Sequence, residues 1–182
     1  MSVKTICVYC ASSSNCSENF LAEAEKLGRF LGRHNYEIIY GGGKVGLMGR
    51  LADEAMAEGG RVIGIIPEFM NELDLAHKNI SEIRIVPNMH KRKKMMLEDS
   101  QCLIALPGGF GTIEELVEAI SWKSLGLINI PILIVNQNNY YQPLLEMLES
   151  VLKEKFYEGK INELWKVFNS VNEVILHLSS EN

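Results

Sequence analysis

The stretch Glu37-Ile38-Ile39-Tyr40-Gly41-Gly42-Gly43-Lys44-Val45-Gly46-Leu47-Met48-Gly49 sets the reading of the whole chain. A short run of strand character stops at consecutive glycines, and a segment of helical period, Leu47 to Glu58, follows at once. Gly59 and Gly60 end that helix, and Arg61 to Ile66 form another buried strand, stopped by Pro67. Strand, glycine turn, helix and strand, with no hairpin signal between them, make a crossover unit whose strands are expected to run parallel.

The same alternation extends in both directions. Upstream, Thr5 to Cys10 reads as a strand, Ser12 to Ser14 as a turn, and Asn19 to His34 as a helix. In that helix Phe20, Leu21, Ala24, Leu27, Phe30 and Leu31 recur at spacings of three and four. Downstream, a less regular stretch from Glu68 to Ser81 precedes strands at Ile83 to Val86, Cys102 to Leu106 and Pro131 to Val135. Helices are expected at Met89 to Asp99, Thr112 to Leu125 and Tyr140 to Glu154, and Val171 to Leu178 caps the fold. The fold class is therefore α/β: a doubly wound, Rossmann-like, mostly parallel sheet with helices on both faces. No repeat, low-complexity tract or linker divides residues 1–182, which are read as one domain.

With 182 residues, 47% apolar and 23% charged, the chain can bury a core, which excludes disorder. Its 18 Lys and Arg against 23 Asp and Glu argue against a dedicated nucleic-acid binder, while one basic pocket for a small anion stays open. No apolar run approaches the roughly 20 residues of a membrane span, and no signal-type core is present, so the expected location is cytoplasmic. Cys7, Cys10, Cys16 and Cys102 are too few for a secreted disulfide scaffold. Cys7 and Cys10 form a C-x-x-C string, but an odd spacing on a strand puts them on opposite faces. The four histidines are scattered, and no spacing suits a metal.

Chemistry concentrates at two glycine loops. Gly41 to Gly49 joins a strand to a helix, where backbone N–H groups and the helix dipole favour a phosphate. Gly41, Gly43 and Gly46 match the loose dinucleotide spacing G-x-G-x-x-G, although the acidic residue that should hold a ribose would be Glu68, beyond Pro67. Gly46 is followed by Leu47, so this is not a Walker loop, and a tight turn without a ligand is the plain alternative. The second loop, Leu106-Pro107-Gly108-Gly109-Phe110-Gly111-Thr112-Ile113-Glu114-Glu115, again joins a strand to a helix. Thr112 or a nearby N–H is expected to cap that helix while binding an anion. The dipole alone favours carboxylates there, yet Glu115 stands one turn beyond Gly111, where a carboxylate can act on a phosphorylated ligand's sugar. A third segment, Met89-His90-Lys91-Arg92-Lys93-Lys94, is either a solvated cationic face or a helix start that carries Arg92 over the same crevice. Both loops would lie at carboxyl ends of parallel strands, where open α/β sheets bind ligands.

These motifs resemble the LOG family, the cytokinin riboside 5′-monophosphate phosphoribohydrolases, whose older description is possible lysine decarboxylase. The resemblance runs through Cys7 to Ser14, Tyr40 to Gly43, Gly46 to Gly49, Ile65-Ile66-Pro67, Met89 to Lys93, Pro107 to Glu115 and Tyr140-Tyr141. The tail after Glu154 adds little. The resemblance implies a Rossmann-like homodimer, with its site near the subunit interface, that hydrolyses the N-glycosidic bond of a nucleoside 5′-monophosphate. It implies catalytic roles for Arg92 and Glu115. Substrate contacts are implied for Lys93, Gly42, Gly43, Gly108, Gly109, Phe110, Gly111, Thr112, Ile113 and Glu114. Glu72 is aligned with a substrate-contacting Glu, although the spacing after Ile-Pro is shorter here. Ser121 stands where a Thr commonly precedes the Trp, and keeps the hydroxyl.

The chemistry agrees with the residues. Cleaving a base from ribose develops positive charge at C1′, so a nearby carboxylate helps, as in glycoside hydrolysis. Glu115 is expected to stabilise that charge or position the water, Arg92 to orient the substrate and assist departure of the base, and Gly109 to Thr112 to hold the 5′-phosphate. No metal or organic cofactor is called for. A pyridoxal-phosphate decarboxylase would need a reactive lysine and an aspartate on the pyridinium, and no such aspartate is evident. A non-catalytic nucleotide or cofactor carrier, and a nicotinamide dehydrogenase, are the other readings.

Overall fold

The apolar runs assemble into one parallel sheet in a computed structural model that describes residues 4–73 and 75–180. In chain order its elements are β1 (Thr5–Tyr9), α1 (Glu18–Arg33), β2 (Glu37–Tyr40), α2 (Gly46–Ala57), β3 (Arg61–Pro67), α3 (Glu68–Glu72), β4 (Glu82–Val86) and α4 (Met89–Glu98). Then follow β5 (Cys102–Ala105), α5 (Phe110–Ser124), β6 (Ile132–Val135), α6 (Gln142–Lys153), α7 (Ile161–Leu164), β7 (Lys166–Phe168) and α8 (Val171–Ser180). The strand order is β4-β3-β2-β1-β5-β6-β7, and each neighbouring pair runs parallel.

Alternation along β1 divides the core in two. Ile6, Val8 and Cys10 pack under α1, α2 and α8, with Leu27, Leu51 and Val174 among their neighbours. Cys7 and Tyr9 point the other way, into a layer built with Met96, Leu116 and Leu145 from α4, α5 and α6. Cys7 and Cys10 thus lie on opposite faces, as their odd spacing predicts. Central strands buried on both faces explain why their sequences read as continuous apolar runs. Among the described residues no helix is long and apolar enough to cross a membrane.

The chain leaves β1 toward β2 and later enters β5 on the other side of β1, so the winding reverses between these two central strands. A crevice opens at such a point beyond the carboxyl ends, and the loops after β1, β2 and β5 border it. Three local features differ from the sequence reading. Thr112 does not cap α5; Gly109 holds the cap position, without a side-chain bond, and Thr112 lies inside the first turn. The irregular stretch contains the short helix α3. The final strand β7 and the helix α7 before it are too short to show a period, and pairing with β6 makes Lys166–Phe168 a strand.

Candidate active site

The crevice is organised by Arg92. Asn88 caps α4, its side-chain oxygen accepting from the Lys91 N–H at 2.9 Å, which fixes where the helix begins. One turn in, Arg92 faces inward and is 4% exposed, while Lys91 and Lys94 remain in solvent. Its guanidinium donates from Nε to the Ile65 carbonyl and from Nη2 to the Gly41 carbonyl, both at 3.0 Å. Ile65 lies in the last half of β3 and Gly41 directly follows β2, so one side chain ties two strands to α4. A Cβ at Gly41 would stand 2.2 Å from Arg92 Nη2, so a side chain there would push the guanidinium from this position.

The second loop delivers the partner. Leu106 continues from β5, and its N–H donates to the Tyr9 carbonyl at 2.9 Å. The Tyr141 hydroxyl donates to the Leu106 carbonyl at 2.7 Å, and the Tyr140 hydroxyl donates to the Gly108 carbonyl. Braced in this way, the loop turns into α5 at Gly109. The Ile113 N–H reaches back to the Gly109 carbonyl at 3.0 Å, and the N–H groups before it in the first turn have no intrahelical carbonyl. Glu115 stands on the inner side of α5, 4% exposed, and its Oε1 accepts from Arg92 Nη1 at 3.0 Å. Burial pushes the Glu115 carboxyl above its ordinary range; Arg92 pulls it down and Glu114 adds to the rise.

This ion pair borders a cavity of about 410 Å³. Its lining holds polar groups, Arg92, Glu115, Thr112, Ser12 and the backbone of Gly41, Gly43, Gly109 and Gly111. It also holds apolar ones, Val45, Met48, Ile66, Met70, Leu75 and Met89, with Cys10 and Phe110, and Met89 Sδ stands 3.8 Å from Arg92 Nη1. Phe110 is 94% exposed, and Gly109 and Gly111 leave open space where a Cβ would stand. A lining of both kinds suits a ligand that carries a charged group and an apolar one.

Of the residues singled out from the sequence, Gly43, Arg92, Gly109, Phe110, Gly111, Thr112 and Glu115 meet at this cavity. Others lie off its wall. Gly42 turns the first loop with a positive φ, and Gly108 is buried behind Thr112. Ile113 packs on the core layer beneath α5. Lys93 pairs with Glu114 at 2.6 Å and with Glu118 at 3.0 Å, outside the cavity; these bonds hold its ammonium above the ordinary range although burial works against that. Glu72 is exposed on α3, and Ser121 is exposed on α5 beyond Glu115. An apolar slot for an alkyl group on the base is expected from the sequence, but its residues are not placed there, since Met48, Met70, Leu75 and Met89 come from separate segments and share no period.

The family model described as possible lysine decarboxylase matches residues 48–178. A cytokinin riboside 5′-monophosphate phosphoribohydrolase of Rhodococcoides fascians is 41% identical over 154 residues, covering 84% of this chain and 78% of that protein. One from Arabidopsis thaliana is 40% identical over 162 residues, covering 88% and 75%. Among solved structures, a molybdenum cofactor carrier protein from Chlamydomonas reinhardtii superposes with a TM-score of 0.73 at 21% identity, covering 98% of both chains. DNA processing protein A from Helicobacter pylori superposes at 0.61 with 13% identity, covering 98% of this chain and 81% of that one. At such identities the two structures speak for a shared Rossmann-like fold alone. The family match and the two phosphoribohydrolases go further: this chain belongs to the LOG family, whose curated relatives are cytokinin riboside 5′-monophosphate phosphoribohydrolases.

Proposed function

We propose that this protein hydrolyses the N-glycosidic bond of adenine-type nucleoside 5′-monophosphates, releasing the free base and ribose 5-phosphate. The observation that carries the reading is the buried Arg92–Glu115 pair, set between an open helix N-terminus and an apolar wall. The first-turn N–H groups of α5 receive the 5′-phosphate, which the absence of side chains at Gly109 and Gly111 lets approach closely. With the phosphate there, the ribose comes to lie against Glu115.

Breaking the C1′–N bond sends its electron pair to the base, which takes up a proton from solvent, and leaves positive charge on the sugar. Water adds at C1′ and gives a proton to Glu115, whose burial raises its proton affinity, and the carboxyl then returns that proton to solvent, which restores the carboxylate. Arg92, held by the Ile65 and Gly41 carbonyls, orients the carboxylate and balances its charge through the reaction. The wall of Met48, Met70 and Met89 accommodates an apolar substituent on the base, which favours N6-alkylated AMP over AMP.

The working unit we propose is a cytoplasmic homodimer. Phe110, Val117, Leu125 and Leu127 are exposed along α5 and the turn after it, an apolar stripe that a second copy would cover. Ser121 and Glu114 lie exposed on the same helix, so they would meet the partner copy rather than their own cavity.

The test is base release, followed by chromatography, from AMP, isopentenyl-AMP and the two unphosphorylated ribosides. Release from the monophosphates only, abolished in Glu115→Gln, is the expected result. Release from none, by a folded protein that binds nucleotide, would turn the reading to the carrier.

A further inference from the structure

Beyond α3 the chain doubles back, and residues 75–79 lie as a strap across the first glycine loop. The Lys44 N–H donates to the Leu75 carbonyl at 3.2 Å, the His77 N–H donates to the Gly42 carbonyl at 2.8 Å, and Gly43 pairs with Ala76 in an antiparallel bridge. The strap carries Leu75 into the apolar wall of the cavity, beside Met70. Of its apolar side chains Ala76 is buried, and Leu75 is 39% exposed.

His77 supplies a further anchor. It is 5% exposed, and its ring joins two parts of the fold. Nδ1 accepts from the Asn79 N–H at 3.2 Å, so Nε2 carries the hydrogen and donates to Asp53 Oδ1 on α2 at 2.9 Å. The ring therefore fastens the strap's own turn and, through Asp53, the helix that the first glycine loop opens. No part of His77 lines the cavity, and the reaction proposed above does not use it.

We infer that His77 is a positioning residue for substrate specificity: it clamps the strap so that Leu75 and Met70 form a fixed wall against the apolar substituent of the base. The specificity half of this inference rests on the proposed reaction; the clamp half does not. Slackening the wall weakens contact with an alkyl group and leaves the phosphate and sugar subsites intact. Loss of a few methylene contacts in such a pocket is worth about tenfold.

The experiment compares wild type, His77→Ala, His77→Gln and Asp53→Asn. In ligand-free protein, amide hydrogen exchange at Lys44 and His77 is expected to accelerate in His77→Ala. It should return toward wild type in His77→Gln, whose amide can still donate to Asp53. Unchanged exchange would overturn the clamp whatever the reaction proves to be. In turnover, the kcat/KM ratio of isopentenyl-AMP to AMP should fall about tenfold in His77→Ala, through KM for the alkylated nucleotide, and recover in His77→Gln. Equal losses for both nucleotides, or no change in the ratio, would overturn the specificity role. Should wild type release base from neither, the proposed reaction fails, and the same ratio is read from calorimetric dissociation constants. An unchanged ratio there overturns the inference, and a reduced one supports it.

Discussion

Arg92 Nη1 and Glu115 Oε1 stand 3.0 Å apart in the crevice, each side chain 5% exposed, and the pair joins the helices that precede and follow β5 in the chain. The two partners are not equivalent. Arg92 is also bound to the Ile65 and Gly41 carbonyls, whereas Arg92 is the cation that Glu115 has within bonding distance. The arginine belongs to the scaffold as well as to the site, and that asymmetry governs how each responds to substitution.

Glu115→Gln is expected to fold and to lose turnover by about a hundredfold or more, the usual worth of a positioned proton-transfer group. Its amide keeps the volume of the carboxyl, and Arg92 keeps its two carbonyls. Base release together with circular dichroism on the same sample checks both parts. Near wild-type turnover would remove Glu115 from the chemistry.

Arg92→Met should cost about 3–5 kcal/mol of stability as well as activity. It strands a buried carboxylate and leaves the Ile65 and Gly41 carbonyls without this donor. Arg92→Lys is expected to rescue little, since a single ammonium cannot span three acceptors on different elements. Urea unfolding midpoints of the two variants measure this directly; a loss below about 1 kcal/mol in Arg92→Met would contradict the scaffold role.

The raised carboxyl of Glu115 makes a signed prediction about pH. Burial lifts the folded-state value above the ordinary 4.5, so the folded protein holds this proton more tightly than the unfolded chain does. The stabilisation from the protonated form is complete below the ordinary value and is lost as pH rises through the raised one. Glu115→Gln cannot lose it, so its thermal midpoint should gain on wild type as pH increases from about 4 to about 8. A wild-type protein that gains on the variant over that range would refute the assigned direction.

Glycines of the two loops should separate packing from binding. Gly111→Ala meets open space, so stability should stay within about 0.5 kcal/mol of wild type while KM for the monophosphate rises. Gly41→Ala puts a methyl group 2.2 Å from Arg92 Nη2 and should lower both stability and kcat. Thermal midpoints and Michaelis parameters for the two proteins decide the matter, and equal loss of stability would contradict the distinction.

The Tyr141 hydroxyl holds the Leu106 carbonyl at 2.7 Å, inside the core. Tyr141→Phe leaves that acceptor unpaired and should cost about 1–3 kcal/mol, with a further loss of kcat as the loop before α5 loosens. Denaturant unfolding alongside turnover would reveal whether the brace affects the loop or the fold alone.

Much of this molecule could be read before any coordinates. Period-two and period-3.6 patterns are local properties of the chain, so nearly every strand and helix was legible, as were both glycine loops, Arg92 and Glu115. The exceptions were local too. Lys166–Phe168 is too short to carry a period, and Thr112 looked like a cap because hydroxyl residues favour that position, whereas Gly109 occupies it.

What stayed hidden depends on residues far apart in sequence. Four basic residues stand together from Lys91 to Lys94; the guanidinium singles out Arg92 as the one to suspect, but its residue type does not say which groups it meets. Burial selects Arg92, because Gly41 lacks a side chain and the Ile65 and Gly41 carbonyls await donors, while Lys93 finds Glu114 and Glu118 outside. The cavity's apolar lining gathers Met48, Met70, Leu75 and Met89 from four separate segments, and His77 on the strap meets Asp53 on α2. Local patterning specifies which segments become strands and helices; the packing of distant segments, which no local pattern encodes, selects the side chains that share the site.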